Sequence, residues 1–506
     1  MDAKKRYDKL VKARTNYLNR AEEASKLTIP QLYTGQYDKE NSDGNTYPNP
    51  YQSLGARGVN NLANKIVLTL FPPATAFFKM GINPLTLKEM SKGEGEVDQA
   101  LQVLEKSIVN EMETSQLRAT LVDMLKQGIV GGSALLHVPL EDDPKVISME
   151  NFGIKRTRSK TILELIIKER LVYSELDKQS QEQVTKSPEF KEEHKSDKIP
   201  LDVYTVIKRE EDGKYKEHQD ILGLKMDGTE GTYKVEDLPY IFVPFVDRGE
   251  NYGRSYIEDF IGDLNSYEGL RRSVLEAAAE SARIIYLVRP NATLTVKKLS
   301  SANSGDVLMG SPDDVGVLQA DKRLDLQIAQ AEMEILRLDL STMFLLDSSV
   351  RRNAERVTAE EIRRVSQELE VSLGGIYSTL ANVVQEPLVK LYLGRLKKKG
   401  LINDALKDAI DLEVTTGSAA LGRGTEFNAI STFIQTMQAT LGQEFASYIK
   451  MPEMIARVAN SLDIGTSELV KSQEELMQEA QAAQQAQLEQ QAVAPTINGA
   501  AKQQPE

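Results

Sequence analysis

The chain has 506 residues, 41% of them hydrophobic, which is enough apolar side chain for about three folding units and too much for a disordered polymer. Its 62 basic and 75 acidic residues leave a net charge of −13, the wrong balance for a protein that grips nucleic acid over a broad basic surface. The absence of cysteine excludes disulfides, thiol catalysis and cysteine-based metal sites.

Met1-Asp2-Ala3-Lys4-Lys5-Arg6-Tyr7 leads into no apolar core, so no secretory signal is expected. The most apolar stretch, Ile66 to Phe78, is too short for a bilayer and contains Pro72-Pro73, so the expectation is a soluble protein made inside the cell. Tyr7, Leu10, Val11, Tyr17, Leu18 and Ala21 recur at helical spacing and predict an amphipathic helix from Lys4 to Leu27, ending before Pro30. A turn-rich stretch follows from Gly35 to Pro50. Leu54, Val59, Leu62, Ile66 and Leu70 then predict a second helix that stops at Pro72, and Val97 to Val130 a third that Gly131-Gly132 ends. From Ser133 to Phe245, short apolar runs (Ala134–Val138, Val203–Ile207, Tyr240–Val246) alternate with turn signals at Asp212-Gly213 and Asp227-Gly228, which predicts a β-rich module of hairpins. Its highly charged interior, Ser174 to Lys198, reads as a solvated excursion.

Arg254 to Arg283 predicts a helix of about 45 Å. A small α/β insertion follows between Ile284 and Gln319, punctuated by Arg289-Pro290, Ser304-Gly305 and Gly310-Ser311-Pro312. A second helix runs from Asp321 to Leu346. Two long helices around a compact insertion make a stalk with a knob at its tip. Asp347 to Val357 has no apolar periodicity and reads as a loop. Thr358 and Glu361 form a capping-box pattern, after which Ile362, Val365, Leu369, Leu373, Ile376, Leu380, Val383, Leu388 and Leu391 predict one long helix, kinked at Pro387. Further helices are expected between Thr425 and Met477. The Gln/Ala-rich tail from Glu479 to Glu506 is expected to be partly helical and frayed at its end.

No reactive constellation emerges. His137 sits in an apolar run, while His194 and His218 lie in charged segments expected to be exposed. Gly128, Gly131 and Gly132 are followed by Ser133-Ala134 and lack the Gly-Lys-Ser/Thr ending of a phosphate loop. Leu421-Gly422-Arg423-Gly424 has no strand-to-helix fingerprint around it, and Asn291-Ala292-Thr293 is a glycosylation acceptor only in a secreted chain. Asp313-Asp314 fits turn chemistry, and Glu360-Glu361 fits dipole complementation in a first helical turn. The expectation is a scaffold or assembly component, not an enzyme, with no cofactor and no metal.

Four segments, in this order and spacing, resemble the portal proteins, or head-to-tail connectors, of short-tailed bacteriophages (podoviruses). They are Tyr51-Gln52-Ser53-Leu54-Gly55-Ala56-Arg57-Gly58-Val59-Asn60-Asn61-Leu62-Ala63, Tyr252-Gly253-Arg254-Ser255-Tyr256-Ile257-Glu258, Arg356-Val357-Thr358-Ala359-Glu360-Glu361-Ile362-Arg363 and Leu373-Gly374-Gly375-Ile376-Tyr377-Ser378. The resemblance runs from near the N-terminus to about Gly424. It implies an α+β portal fold: a mixed wing (1–253), stem helix 1 (254–283), an α/β clip (284–320), stem helix 2 (321–346), a tunnel loop (347–357), a long wing helix and wing (358–420), crown helices (421–478) and the tail (479–506). It also implies a homo-oligomeric ring, typically a dodecamer, at one vertex of the virion, assembled in the host cytoplasm. Viral double-stranded DNA would be packaged and ejected through this ring. The implied partners are the terminase packaging motor, tail adaptors, and capsid and scaffolding proteins, with no membrane.

On this resemblance the stem helices are net acidic and include Glu276 and Glu280 as channel residues, so that a weakly repelling bore does not trap DNA. Taken singly, each of these acids fits an intersubunit ion pair or a solvated face better than a channel role. Arg351, Arg352 and Arg356 would ring the channel and touch phosphates, or else bridge neighbouring subunits; the sequence leaves both open. Lys297 and Lys298 mark the clip as the docking surface for adaptor or terminase. The alternatives are another ring-forming virion component such as a tail adaptor, which is usually a shorter bundle, or a nucleic-acid enzyme, which the missing phosphate loop disfavours.

Overall fold

The structure, a computed structural model, describes residues 2–34, 49–72, 77–82, 94–196, 198–281, 285–292, 294–318, 323–346, 359–400, 410–413, 422–442, 454–455 and 458. It is α+β and divides into two units, residues 1–417 and 418–506.

In the first unit, α1 (Ala3–Leu27) starts where the Asp2 carboxylate accepts the Lys4 N–H. Helix α2 (Leu54–Leu70) is buried nearly all round, with Leu54, Val59, Leu62, Ile66 and Leu70 in the core. Two side-chain amides hold its ends: Gln52 accepts the Gly55 N–H and donates to the Leu27 carbonyl, and Gln385 donates to the Leu70 carbonyl at 2.6 Å. β1 (Lys79–Ile82) follows. The single helix expected over Val97–Val130 is two, α3 (Glu94–Thr114) and α4 (Leu117–Gly131), broken where Gln116 takes a left-handed φ of 52°. Ser115 beside that break is buried on the Tyr392 hydroxyl, a contact across 277 residues that local periodicity does not carry.

Helix α4 ends at Gly132, whose φ of 83° makes it a left-handed C-cap. A Cβ there would lie 2.6 Å from the Gly253 carbonyl oxygen, and one on Gly253 would lie 2.4 Å from the Gly132 oxygen. The Tyr252–Tyr256 segment therefore crosses the helix end at backbone contact, held by Gly253 N–H to Ser133 Oγ and by Ser255 Oγ to the Ile129 carbonyl.

The β module contains β2 (Ser133–His137), β3 (Lys145–Ile147), β4 (Phe152–Arg156), β5 (Ile162–Leu171), α5 (Lys178–Val184), β6 (Leu201–Arg209), β7 (Tyr215–Ile221), β8 (Leu224–Lys225), β9 (Gly231–Tyr233) and β10 (Tyr240–Pro244). Two sheets result: β10-β2-β3, and β4-β5-β6-β7-β8 with β9 on β7, paired antiparallel throughout. Alternation along β5 sends Leu165 and Ile167 into the main core and Ile166 to the other face, where Tyr204, Val206 and Tyr7 of α1 cover it. Both faces of the larger sheet are thus buried.

The stretch expected to be a solvated excursion, Ser174 to Lys198, is folded. Leu176 and Val184 join Leu201, Val203, Ile221 and Met226 in a second small core, with Asp177 capping α5 through the Ser180 N–H. Its charges stay outside while its few apolar residues find the sheet. His194, expected to be exposed, is buried against Phe190, and His218 is half-buried on β7.

Beyond the β module come α6 (Ile261–Ser281), β11 (Ile285–Val288), α7 (Val296–Ser300), β12 (Val315–Leu318), α8 (Arg323–Met343), α9 (Ala359–Leu373), α10 (Gly375–Leu380), a π-turn (Ala381–Gln385), α11 (Glu386–Lys398) and β13 (Ile410–Glu413), which pairs with β1. The helix expected over Arg254–Arg283 begins only at Ile261, because Arg254 is bridged to Val246 and a 3-10 turn spans Ile257–Asp259. Its 21 residues span about 31 Å, not 45 Å. The helix expected over Asp321–Leu346 is Arg323–Met343, closed by Leu345 at φ 54°. The single long helix expected from Thr358 is interrupted at Gly374 (φ 54°); beyond it the backbone stays helical from α10 through the π-turn into α11, and Pro387 falls just after that turn. Thr358 of the expected capping box, the 347–357 loop and the 479–506 tail lie outside the described residues. The second unit contains α12 (Gly422–Leu441), which starts within the Leu421–Gly424 run.

Candidate functional site: the stalk and its root

α6 and α8 pack along each other and run in opposite directions. At one end Tyr256, just before α6, donates its hydroxyl to the Met343 carbonyl at 3.0 Å; at the other, β11 and β12 pair antiparallel from Ile285↔Leu318 to Val288↔Val315. The result is a two-helix stalk carrying a small α/β tip.

Of the acids assigned to a channel surface, Glu276 is exposed and paired with Arg272 one turn earlier at 2.8 Å; the pair raises the Arg272 pKa. Glu280 is exposed one further turn along the same helix. On α8, Arg337 bonds Glu334 through two nitrogens and holds its carboxyl below the usual range. Lys297 and Lys298 are both exposed on α7 at the tip. The tip also exposes Val307 (96%) and Met309 (93%). Arg351, Arg352 and Arg356 lie outside the described residues, so the structure brings together Glu276 with Glu280 and Lys297 with Lys298, and places nothing on the arginines.

The stalk is seated on α2. From α6, the Glu268 carboxylate accepts the Tyr51 and Gln52 N–H groups at 2.8 and 3.2 Å. From α8, the terminal carbonyls are taken in turn: Tyr256 Oη bonds Met343, Asn61 Nδ2 bonds Phe344 and Leu345 at 3.0 Å each, and Lys65 Nζ bonds Leu345 at 2.5 Å. Lys65 is only 5% exposed; burial lowers its pKa, and the charge of Glu368 on α9 works against that. Gly58 completes the stripe, its missing Cβ leaving room for the Phe344 ring. Gly58, Asn61 and Lys65 fall at i, i+3 and i+7, one face of α2. The sequence reading attended to the apolar face of that helix and passed over this one; the polar i, i+3, i+7 spacing was the available signal.

Elsewhere, a cavity of about 750 Å³ is lined by Lys160, Tyr215, Lys234, Tyr240, Glu386 and Lys390 among others. Its lysines Lys390 and Lys160 are engaged with Glu386 and Asp247, at 2.8 and 3.1 Å. Among the described residues no group of three or more His, Asp or Glu is placed to hold a metal, and no helix is long and apolar enough to cross a membrane.

The chain is 35% identical over 491 residues to a protein named Portal protein of Enterobacteria phage T3, covering 94% of this chain and 90% of that one. It is 34% identical over 486 residues to one of the same name from Escherichia phage T7, covering 94% and 89%. Among solved structures, a chain from the neck of a native GTA particle computed with C12 symmetry aligns over 75% of this chain and 85% of that one, at 10% identity and a TM-score of 0.33. Residues 1–470 match the family of bacteriophage head to tail connecting proteins, and the chain belongs to that family.

Proposed function

We propose that the protein is the portal subunit of a short-tailed phage: a structural, non-enzymatic virion component that forms a ring, typically of twelve copies, at the head-to-tail vertex. Viral double-stranded DNA is packaged and later ejected through it. The observation that carries this reading is the family match over residues 1–470 in a chain that carries a two-helix stalk with a small α/β tip. The parts are then a wing (1–253 and 358–420), stem helices within 254–283 and 321–346, a clip at 284–320, a tunnel loop at 347–357, a crown at 421–478 and a tail at 479–506. Glu276 and Glu280 face the channel with Arg351, Arg352 and Arg356, and the clip, with Lys297 and Lys298, docks the terminase during packaging and the tail adaptors afterwards. Capsid and scaffolding proteins meet the ring as it assembles in the host cytoplasm.

Exposed apolar side chains support the ring. Ile328, Ile335 and Leu338 on α8 and Leu275 on α6 are 70, 53, 47 and 44% exposed in a single copy, and neighbouring copies would cover them. Light scattering and negative-stain imaging of purified protein test this. A ring with a central hole and a mass many times 56.3 kDa is expected. Monomer alone at micromolar concentration refutes the proposal.

A further inference from the structure

The end of the second stalk helix meets α2, while the first stalk helix is tied to α1 through Arg20 and Glu258, to α4 through Ser255 and the Ile129 carbonyl, and to the Tyr51-Gln52 backbone ahead of α2. The end of α8 is an unusual one. Leu346 N–H bonds back to the Ser341 carbonyl at 2.8 Å across Leu345, which sits at φ 54° where glycine is the usual residue. Leucine tolerates that conformation because its side chain is buried, and because the carbonyls left over by the turn are met by Tyr256, Asn61 and Lys65. The ammonium sits where the helix dipole is negative. The helix that follows the 347–358 stretch, α9, also packs on α2, with Val365 and Leu369 buried and Glu368 electrostatically opposite Lys65. One helix face therefore receives both the chain entering that stretch and the chain leaving it.

A joint built only for stability would be apolar at this depth, because a buried lysine is costly to desolvate and a well-packed methionine or leucine is often as stable. Directional bonds to three successive carbonyls instead fix the angle and register at which the helix end meets α2. We propose that Gly58, Asn61, Lys65 and Tyr256 are positioning residues that form a socket for the end of the second stalk helix, the joint that carries load between stalk and wing when DNA is driven through the ring. This deepens the portal reading and rests on it.

The test uses full-length Lys65→Met and Asn61→Leu, close in shape but without the donors, and Tyr256→Phe as a milder variant that keeps the ring. Ile154→Val, a small loss of core packing in the β module, is the control. In the purified full-length protein, whatever its assembly state, hydrogen–deuterium exchange of the Leu340–Leu346 amides should rise about tenfold or more for Lys65→Met and Asn61→Leu, and less for Tyr256→Phe. The Leu201–Arg209 amides should stay unchanged. In particles assembled with these variants, the ratio of DNA-filled to empty heads should fall in the same order, with rings forming normally. Unchanged exchange at Leu340–Leu346 overturns the socket. Faster exchange with unchanged DNA filling overturns its role, as does a loss of filling no different from that of Ile154→Val. If the unsubstituted protein forms no ring, the portal reading fails while the exchange result still stands or falls alone.

Discussion

Two glycines in helices predict opposite outcomes for the same substitution. At Gly58 an added Cβ would lie 2.3, 2.5 and 2.7 Å from three ring carbons of Phe344, and that ring is fully buried with nowhere to withdraw. At Gly394 in α11 an added Cβ meets nothing within 4 Å. Exchanging glycine for alanine inside a helix is worth up to about 1 kcal/mol through backbone entropy and propensity. Gly394→Ala should realise that gain. Gly58→Ala must displace a close-packed ring by about 1 Å to restore ordinary contact, and overpacking of this kind costs about 1–3 kcal/mol. The net should be a loss of up to about 2 kcal/mol, and since both alanines share the entropic gain the two variants should differ by the overpacking cost, about 1–3 kcal/mol, in urea denaturation. The loss at Gly58 should shrink in a Phe344→Leu background, because the smaller side chain leaves space for the methyl. Equal signs for the two alanines, or strict additivity of Gly58→Ala with Phe344→Leu, would refute the packing argument.

His137, stacked 4.4 Å from Tyr240, has its pKa lowered from 6.5 to about 4 by burial and then by Lys145 and Arg395. The unfolded chain therefore takes up a proton that the folded one refuses, and stability should fall as pH drops from 6.5 towards 4; His137→Phe, which keeps the stack, should flatten the pH dependence of the denaturation midpoint in that window. Arg156 and Asp247 form an ion pair at 3.1 Å with side chains 4 and 2% exposed. Arg156→Ala should cost about 1.5–3 kcal/mol, because Lys160 at 3.1 Å and the Gly249 N–H still hold the Asp247 carboxylate, and Arg156→Ala with Lys160→Ala should cost more than the two single losses together in thermal unfolding; strict additivity would show that Lys160 does not compensate. Lys297→Ala with Lys298→Ala, at exposed tip positions, should change stability by less than about 0.5 kcal/mol while weakening tail-adaptor binding in a salt-dependent way, and unchanged affinity would remove the tip lysines from the docking surface.

Local chemistry was legible in the sequence wherever one or two residues decide the backbone. Gly132 ends a helix at φ 83°, and the turn glycines Gly213 and Gly228 sit at φ 84° and 85°. What could not be read depends on partners far along the chain. Gln116 breaks a helix beside a hydroxyl bonded to Tyr392, and the π-turn holds Gln385, which reaches the Leu70 carbonyl 315 residues away. The charged stretch around Val184 folds because Leu201, Val203, Ile221 and Met226 offer a small apolar surface to a few scattered residues. The stalk and its tip followed from helix–insert–helix spacing, though the first helix proved shorter. The socket did not follow, since Gly58, Asn61 and Lys65 read along the chain as an ordinary solvated face. Only the return of Phe344 and Leu345, some 280 residues later, turns that face inward.

The same folding-back pairs many of the stalk's charges. Counted along the sequence, both helices are modestly net acidic, and a ring of them is expected to repel a polyanion weakly. In the structure, Glu258 is shared between Arg20 and Arg254, Asp259 pairs with Arg254, Glu276 with Arg272 and Glu334 with Arg337. Glu268 spends its charge on two backbone amides. A carboxylate within about 3 Å of a guanidinium acts as a dipole, not a monopole, at the distance of a helix in mid-channel. What net charge remains is screened over about 8 Å at physiological ionic strength. Pairing leaves the net charge of the stalk as it was, so in the ring proposed above the field along the bore would stay weakly repelling. On the portal reading proposed above, weak repulsion would suit a passage that must neither bind nor stall its polyelectrolyte. It also leaves the control of movement to steric and mechanical elements, which is where a rigid seat for the end of the second stalk helix has its use.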